Sequence, residues 1–480
     1  MMRAKPFIWR AHGGHEEYAF VGGYPTRETV QNAYDDADLN RAIQAYRFFF
    51  PTVSGLAIYE GNEASGLVPN QIFGILDTQP KHVTLTPISD TPYGPMLIDL
   101  RIGGMVVELP PGPLSGMAMD INQRWIGDIG LPGPDAGNGG AHLFLPPKFS
   151  GDVPPRHHVW HSTSNRLIIG VRSIPVDGDM RAAMDRLRAI NVRPVKTSAS
   201  WGEPRWINVT DRPQDTTPAK WESNIGFWEA LHRAIDSEPP IEGYLNYYGE
   251  LAALGIAKGR AFAPDDRMRD ILQVAARIGN AQLRVQAFAD RRPDRVVWPD
   301  RNWEWVGLRC ENADFATPSY TDLDARETWF YQAVGASPAM FRRSEGVGSI
   351  CWLTAHDHGG AYLDGAKTYR LAIPQPVPAR LFWSVTVYDA LSRSEIQTDQ
   401  RRAALRSLFE LRNEKDDSLA LYFGPKAASG AERRWVKTIP GRGWFAYFRI
   451  YGPESAAFDQ SWKPGDFVAI RRDDTDLLIL

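Results

Sequence analysis

Apolar and polar positions follow two different periods along this chain. From Thr26 to Phe50 the spacing is helical. Thr26 can cap TRETVQNAYDD, in which Val30 and Tyr34 sit four apart. A second helical segment begins at Asp38, with Leu39, Ile43 and Tyr46 on one stripe. Pro51 has no amide hydrogen, so it is expected to kink or stop this helix before VSGLAIYEG. From about Gln71 to Ile174 the period falls to two. HVTLTPI, PMLIDLRI, MVVELPP, AHLFLPP, HHVWHSTS and RLIIGVRS are short runs rich in β-branched and aromatic residues. Gly- and Pro-rich turns separate them, among them PPGPLSG and LPGPDAGNGG. This spacing predicts an antiparallel sandwich or barrel, not βαβ units.

MRAAMDRLRAI supplies a helix, a polar loop follows, and the middle of the chain is helical again. Pro218 and Pro240 each open a helical segment, and Gly255 closes the second. Asp265 and Asp266 begin a longer one, with Met268, Ile271, Leu272, Ala275 and Ile278 on one face. LDARETWFYQAVG ends at Gly335. From about Ile350 short strands resume: TYRLAIP, LFWSVTVYD, SLALYFG, RWVKTIP, WFAYFRIYG and DFVAIRR. In LFWSVTVY, Phe382, Ser384, Thr386 and Tyr388 oppose Trp383, Val385 and Val387. The fold class expected is α+β and β-rich. The predicted order is N-terminal helices over 1–60, a β-sandwich or barrel domain over 61–200, a helical linker or subdomain over 201–345, and a C-terminal β domain over 346–480.

Composition narrows the partners more than the chemistry. The 480 residues are too many for one hydrophobic core. A net charge of −3 gives no electrostatic reason to expect nucleic acid or an anionic membrane surface. No stretch approaches the roughly 18 apolar residues of a spanning helix, and the N-terminus lacks an apolar leader core; a cytoplasmic protein is expected. Cys310 and Cys351 are too few for a disulfide scaffold and read as buried, reduced thiols.

Several motifs carry a resemblance. YPTRETVQNAYDDADLNRAIQAY, SDTPYGPMLIDL, and DIGLPGPDAGNGG with LFLPP lie in the first half. LDGAKTYRLAIP, FWSVTVYDALSRSEIQTDQ, WVKTIPGRGWFAYFRIYGP and WKPGD lie in the second. The chain resembles the tandem family of domains of unknown function 1254 and 1214 over roughly residues 26–180 and 320–470. The resemblance implies a β-rich N-terminal domain, a jelly-roll-like C-terminal β-sandwich and homo-oligomerisation; it implies no reaction. One departure stands out. Relatives read Asn-Ser-Asp or Asn-Asn-Asp where this chain has Ile88-Ser89-Asp90.

No GxSxG elbow, phosphate loop or dinucleotide fingerprint is present. His356-Asp357-His358 could place two imidazoles on one strand face about 6.6–7 Å apart, as barrel metalloenzymes do. No histidine follows His358, however, and LDG marks a turn, so a polar surface hairpin is the plainer reading. In RHHVWH, His157 and His161 share a face about 13 Å apart, too far to share an ion. Better chemistry lies in the N-terminal β region. Asp90 with Tyr93 would give a general base and a hydroxyl donor. Arg124, flanked at four-residue spacing by Asp120 and Asp128, could hold one acid ionised while another stays protonated. Asp90, Tyr93, Arg124 and Asp128 are therefore candidate catalytic residues. Asp120, Trp125, Tyr388 and Arg393 are candidate substrate contacts. Lys367, Tyr369 and Arg449 could face one barrel mouth, or form ordinary cross-strand pairs. The same acids also read as buried ion pairs and turn caps. The function expected is an enzyme acting on an oxygenated hydrophobic small molecule by acid/base or water-dependent chemistry, of hydrolase or lyase type, without an organic cofactor. A non-catalytic oligomeric jelly-roll binding protein is the alternative. A divalent-metal enzyme using His356 and His358 is the third.

Overall fold

The computed structural model describes residues 18–470 apart from 78, 197–200, 213–219, 309–311, 342, 344, 347, 413, 415, 428–429 and 460. The readings placed on Pro218 and Cys310 therefore lie outside the described residues. The two N-terminal helical segments are one helix, Arg27–Ala64, and Pro51 lies inside it. Thr26 caps it, accepting from the Thr29 amide. Packing explains why Pro51 does not end it. A mid-helix proline costs about 3 kcal/mol, whereas each fully buried large apolar side chain contributes about 1.5–3 kcal/mol. Phe48, Phe49, Phe50, Val53 and Leu56 are all buried around it. Gly55 lets the helix seat closely: a Cβ there would stand 2.2 Å from the Ile121 carbonyl oxygen.

This long helix packs on Gly226–Ser237, Leu245–Ala253 and Asp266–Phe288. Tyr46, Phe227, Trp228, Leu231, Ile271 and Leu283 belong to their common core. Helices before and after the N-terminal β region thus form one layer. Met119, Leu97 and Ile168 of that β region pack against it.

The N-terminal β region is two four-stranded sheets. One is antiparallel, in the order Tyr93–Asp99, Arg166–Ser173, Leu114–Asp120, Trp125–Gly130. The other runs Asn191–Pro194, Met105–Leu109, Gly140–Leu145, His158–His161. Met96, Ile98, Ala118, Leu167, Ile169 and Val171 meet Met105, Val107 and Phe144 between them. HVTLTPI, expected as a strand, is irregular. Its polar groups bond across to the C-terminal region instead: the Thr86 amide donates to the Arg393 carbonyl and the Thr84 amide to Ser394 Oγ. Leu114–Asp120 and Trp125–Gly130 are strands where the spacing of Asp120, Arg124 and Asp128 also suited a helix face. Their ladder and a buried face outweigh the weak strand preference of Gly, Met and Ala.

The C-terminal β region is also two sheets. A five-stranded antiparallel sheet runs Glu304–Trp305, Ser349–Thr354, Trp444–Pro453, Ala379–Asp389, Ala404–Arg406. A four-stranded sheet runs Trp435–Lys437, Ser418–Gly424, Thr368–Pro374, Val468–Ile470. Trp352, Trp383, Val385 and Phe448 of the first pack on Tyr369, Leu371, Leu421 and Phe423 of the second. Neither region closes into a barrel. The fold is mixed α+β and β-rich, and no helix among the described residues is long and apolar enough to cross a membrane.

Candidate functional site

Strand alternation leaves each sandwich with an outward face, and the two outward faces meet. On Arg166–Ser173, Leu167, Ile169 and Val171 point into the N-terminal core, so Ile168, Gly170 and Arg172 point the other way. On Trp444–Pro453, Ala446, Phe448 and Ile450 point into the C-terminal core, which leaves Tyr447, Arg449 and Tyr451 opposite. Between these faces lies a cavity of about 510 Å³. Ile168, Met117, Met119, Val306 and Trp329 contribute apolar wall. Leu131 and Leu381, 42% and 45% exposed, lie at its rim.

One end of the cavity is polar. Arg172, Arg449, Glu395, Tyr93, Tyr447, Tyr451 and Cys351 all line it. Glu395 is buried, and its Oε1 accepts from the Ser89 amide at 3.0 Å and the Ser89 hydroxyl at 2.8 Å. Burial, with nearby Asp90 adding to it, pushes the Glu395 carboxyl up to about 7. Tyr451 donates to Asp90 Oδ2 at 3.2 Å and accepts from Arg172 Nη1 at 3.4 Å, while Ser384 donates to the same Asp90 oxygen at 2.8 Å. Burial raises the Tyr93, Tyr447 and Tyr451 hydroxyls, so they stay protonated donors. Burial also raises the Cys351 thiol, which is free and neutral in this setting. His82 lines the cavity as well, and burial lowers its pKa.

The candidates read from the sequence divide into three places. Tyr93 and Asp128 line the cavity. Asp90 is fully buried behind that wall and acts on it through Tyr451. Tyr388 is buried nearby, its hydroxyl donating to the Pro87 carbonyl at 2.6 Å and its ring 5.5 Å from the Arg449 guanidinium carbon. Asp120, Arg124 and Trp125 belong to the hairpin at the other end of the strands. There Asp120 accepts from the amides of Asn122 and Arg124 and from the Thr163 hydroxyl, which makes it a turn-fixing acid. Arg124 approaches Asp314 and the Tyr244 ring, and Trp125 packs on Trp160. The expected flanking of Arg124 by two acids is not formed. Arg393 is also elsewhere: fully buried, paired to Glu222 at 2.5 Å and stacked on Tyr331.

Tyr369 and Arg449 share no mouth, because Tyr369 points into the C-terminal core and Arg449 away from it. His356 and His358 sit in a tight turn fixed by Asp357 Oδ1, which accepts from the Gly359 and Ala361 amides. His356 stacks on Tyr362, and His358, 70% exposed, approaches Asp466. Among the described residues, no group of three or more His, Cys, Asp or Glu side chains is arranged to hold a metal ion. His158 and His161 are on an edge strand, where His158 packs beside buried His142. Arg172 and Glu395 are cavity residues that the sequence reading passed over.

Comparison with known proteins bears on this arrangement. The family described as protein of unknown function DUF1254 matches residues 71–194, and that described as protein of unknown function DUF1214 matches residues 348–455. The chain is a tandem DUF1254–DUF1214 protein. In this DUF1254–DUF1214 protein the cavity lies between the two matched regions: Tyr93, Gly170 and Arg172 come from the first, Glu395, Arg449 and Tyr451 from the second. The VPA0106 protein from Vibrio parahaemolyticus has a similar fold, with a TM-score of 0.55 at 16% identity over 90% of this chain and 100% of that one. An uncharacterised protein from Burkholderia cenocepacia aligns with a TM-score of 0.42 at 12% identity, over 93% and 97%. No curated protein matches the chain.

Proposed function

We propose that this protein is an enzyme that takes an oxygenated hydrophobic small molecule into the cavity between its two β regions and acts on it by acid/base chemistry, with Glu395 exchanging the proton. The observation that carries the reading is positional. A buried carboxyl group stands on the cavity wall, and among the described residues its two donors both bond to Oε1. Oε2 is then the oxygen available to a substrate. A group titrating near neutrality can both give and take a proton at the operating pH. Tyr93 supplies a neutral hydroxyl donor toward an oxygen that gains charge. Asp90 is a positioning residue in this scheme, because it holds Tyr451 and raises Glu395.

The alternative is a binding protein with no turnover, and one comparison separates the two. A small-molecule extract incubated with wild type and with Glu395→Gln would be followed by untargeted mass spectrometry. The enzyme reading predicts a compound consumed by wild type and spared by the variant. Compounds retained by both proteins and consumed by neither would support the binding protein.

A further inference from the structure

The charge around the cavity points to the kind of ligand. Arg449 is 5% exposed, lines the cavity, and has an Nη1 with no hydrogen-bond partner. Its guanidinium carbon lies 4.8 Å and 5.5 Å from the ring centroids of Tyr447 and Tyr388. Among the described residues no carboxylate lies within 4 Å of it. Arg172, also on the wall, is hydrogen-bonded to the Tyr451 hydroxyl and likewise has no carboxylate at ion-pair distance. Other secluded arginines have partners of their own: Arg326 donates to the Phe48 carbonyl, and three more meet acids. Arg393 is paired with Glu222, Arg295 with Glu304, and Arg406 with Glu410. Removing a cation from water is costly unless an anion and hydrogen bonds replace the lost hydration. Asp90 and Glu395 act on Arg449 only from beyond ion-pair distance, so a directly paired anion for these two cations would come from outside the chain.

Gly170 identifies where the body of the ligand runs. It sits in the middle of a central strand, where glycine costs about 0.5–1 kcal/mol relative to alanine. A Cβ built there would meet no atom within 4 Å, and the residue lines the cavity two positions from Arg172. The space beside it is thus held open by the sequence itself.

We propose that the ligand is a carboxylic acid with a hydrocarbon body, its carboxylate held by Arg449 and Arg172 and its chain lying along Gly170, Met117 and Ile168. A planar guanidinium matches a carboxylate through two parallel hydrogen bonds. Beyond the two arginines Met117, Met119, Ile168, Val306 and Trp329 offer apolar wall to the chain. This assignment rests on the cavity being the ligand site, as proposed above, and the test keeps the two apart.

Decanoate and 1-decanol would be titrated calorimetrically into wild type, Arg449→Met, Arg172→Gln and Gly170→Phe. The expected result is a preference for decanoate of at least about tenfold, equivalent to about 1.4 kcal/mol. Arg449→Met and Arg172→Gln should each cut that preference to about threefold or less while decanol affinity is kept. Gly170→Phe should abolish binding of both. Should Arg449→Met not fold, Arg172→Gln alone carries the comparison. Decanoate binding no tighter than decanol in wild type, including no binding of either, overturns the carboxylate assignment. So does a preference that survives both arginine changes. Binding untouched by Gly170→Phe overturns the cavity as the ligand site, whatever the preference.

Discussion

Replacing Gly170 by valine separates what the fold needs from what the cavity needs. The glycine pairs with Pro95 on one side and Met117 on the other, in a strand that is otherwise Arg, Leu, Ile, Val and Ser. Its φ is not in the left-handed region, and an added Cβ meets nothing within 4 Å. The backbone therefore accepts a β-branched residue without strain. Removing the entropy of glycine from the unfolded chain contributes about 0.5–1 kcal/mol. The better strand preference of valine adds up to about 1 kcal/mol. Gly170→Val should thus be more stable than wild type by about 1 kcal/mol, a rise in thermal midpoint of roughly 2 °C. The same methyl groups occupy space beside Arg172. Overpacking a bound ligand costs about 1–3 kcal/mol, so decanoate affinity should fall by about tenfold. Scanning calorimetry and titration on the same preparation read both effects. A variant less stable than wild type by 1 kcal/mol or more would refute the claim that this space is empty. Unchanged affinity would refute the claim that it belongs to the ligand.

Three further outcomes follow from the same geometry. Glu395 holds its proton more tightly in the folded state, about 7 against an ordinary 4.5, so its contribution to stability falls as pH rises through that window. The loss reaches roughly 3 kcal/mol, and Glu395→Gln should flatten the midpoint-against-pH curve between pH 5 and 8; parallel curves would contradict the buried carboxyl. Tyr451→Phe leaves buried Asp90 with only the Ser384 hydroxyl on Oδ2 and should cost about 1–3 kcal/mol in chemical denaturation. Arg393→Met leaves Glu222 with only the 3.7 Å contact to Arg284 among the described residues and should cost about 3 kcal/mol, much of it recovered by adding Glu222→Met; strictly additive losses would show that the pair is not coupled.

The strands and helices were largely legible, because each has a one-sided apolar pattern of its own. The Asp265 cap and the Ile271–Leu272–Ala275 stripe marked the helix Asp266–Phe288 without any tertiary knowledge. Alternation marked Trp383, Val385 and Val387 as a core face, and they are one. What alternation cannot mark is a second buried face. Phe382, Ser384, Thr386 and Tyr388 on the opposite face are buried too, and Phe382, Ser384 and Tyr388 meet Ile88, Asp90 and Pro87 of the N-terminal region. The signal available was Tyr-Phe-Arg-Ile-Tyr at 447–451, an aromatic and cationic face too large to leave in water. Glu395 was harder still. Its neighbours Ser89 and Asp90 lie some three hundred residues away in sequence, so no local window contains its environment. HVTLTPI misled for the same reason: its backbone partners are Arg393 and Ser394 of the distant loop, not a neighbouring strand. The Asp120–Arg124–Asp128 spacing had a local cause, a hairpin turn held by Asp120.

The central claim is that the space between the DUF1254 and DUF1214 regions is a ligand site with a cationic end. A crystal structure of the protein with decanoate tests it most directly. The account predicts a carboxylate within hydrogen-bond distance of Arg449 and Arg172, with the chain running past Gly170 toward Met117 and Ile168. Decanoate bound outside this cavity, or inside it with the carboxylate turned away from both arginines, would contradict it.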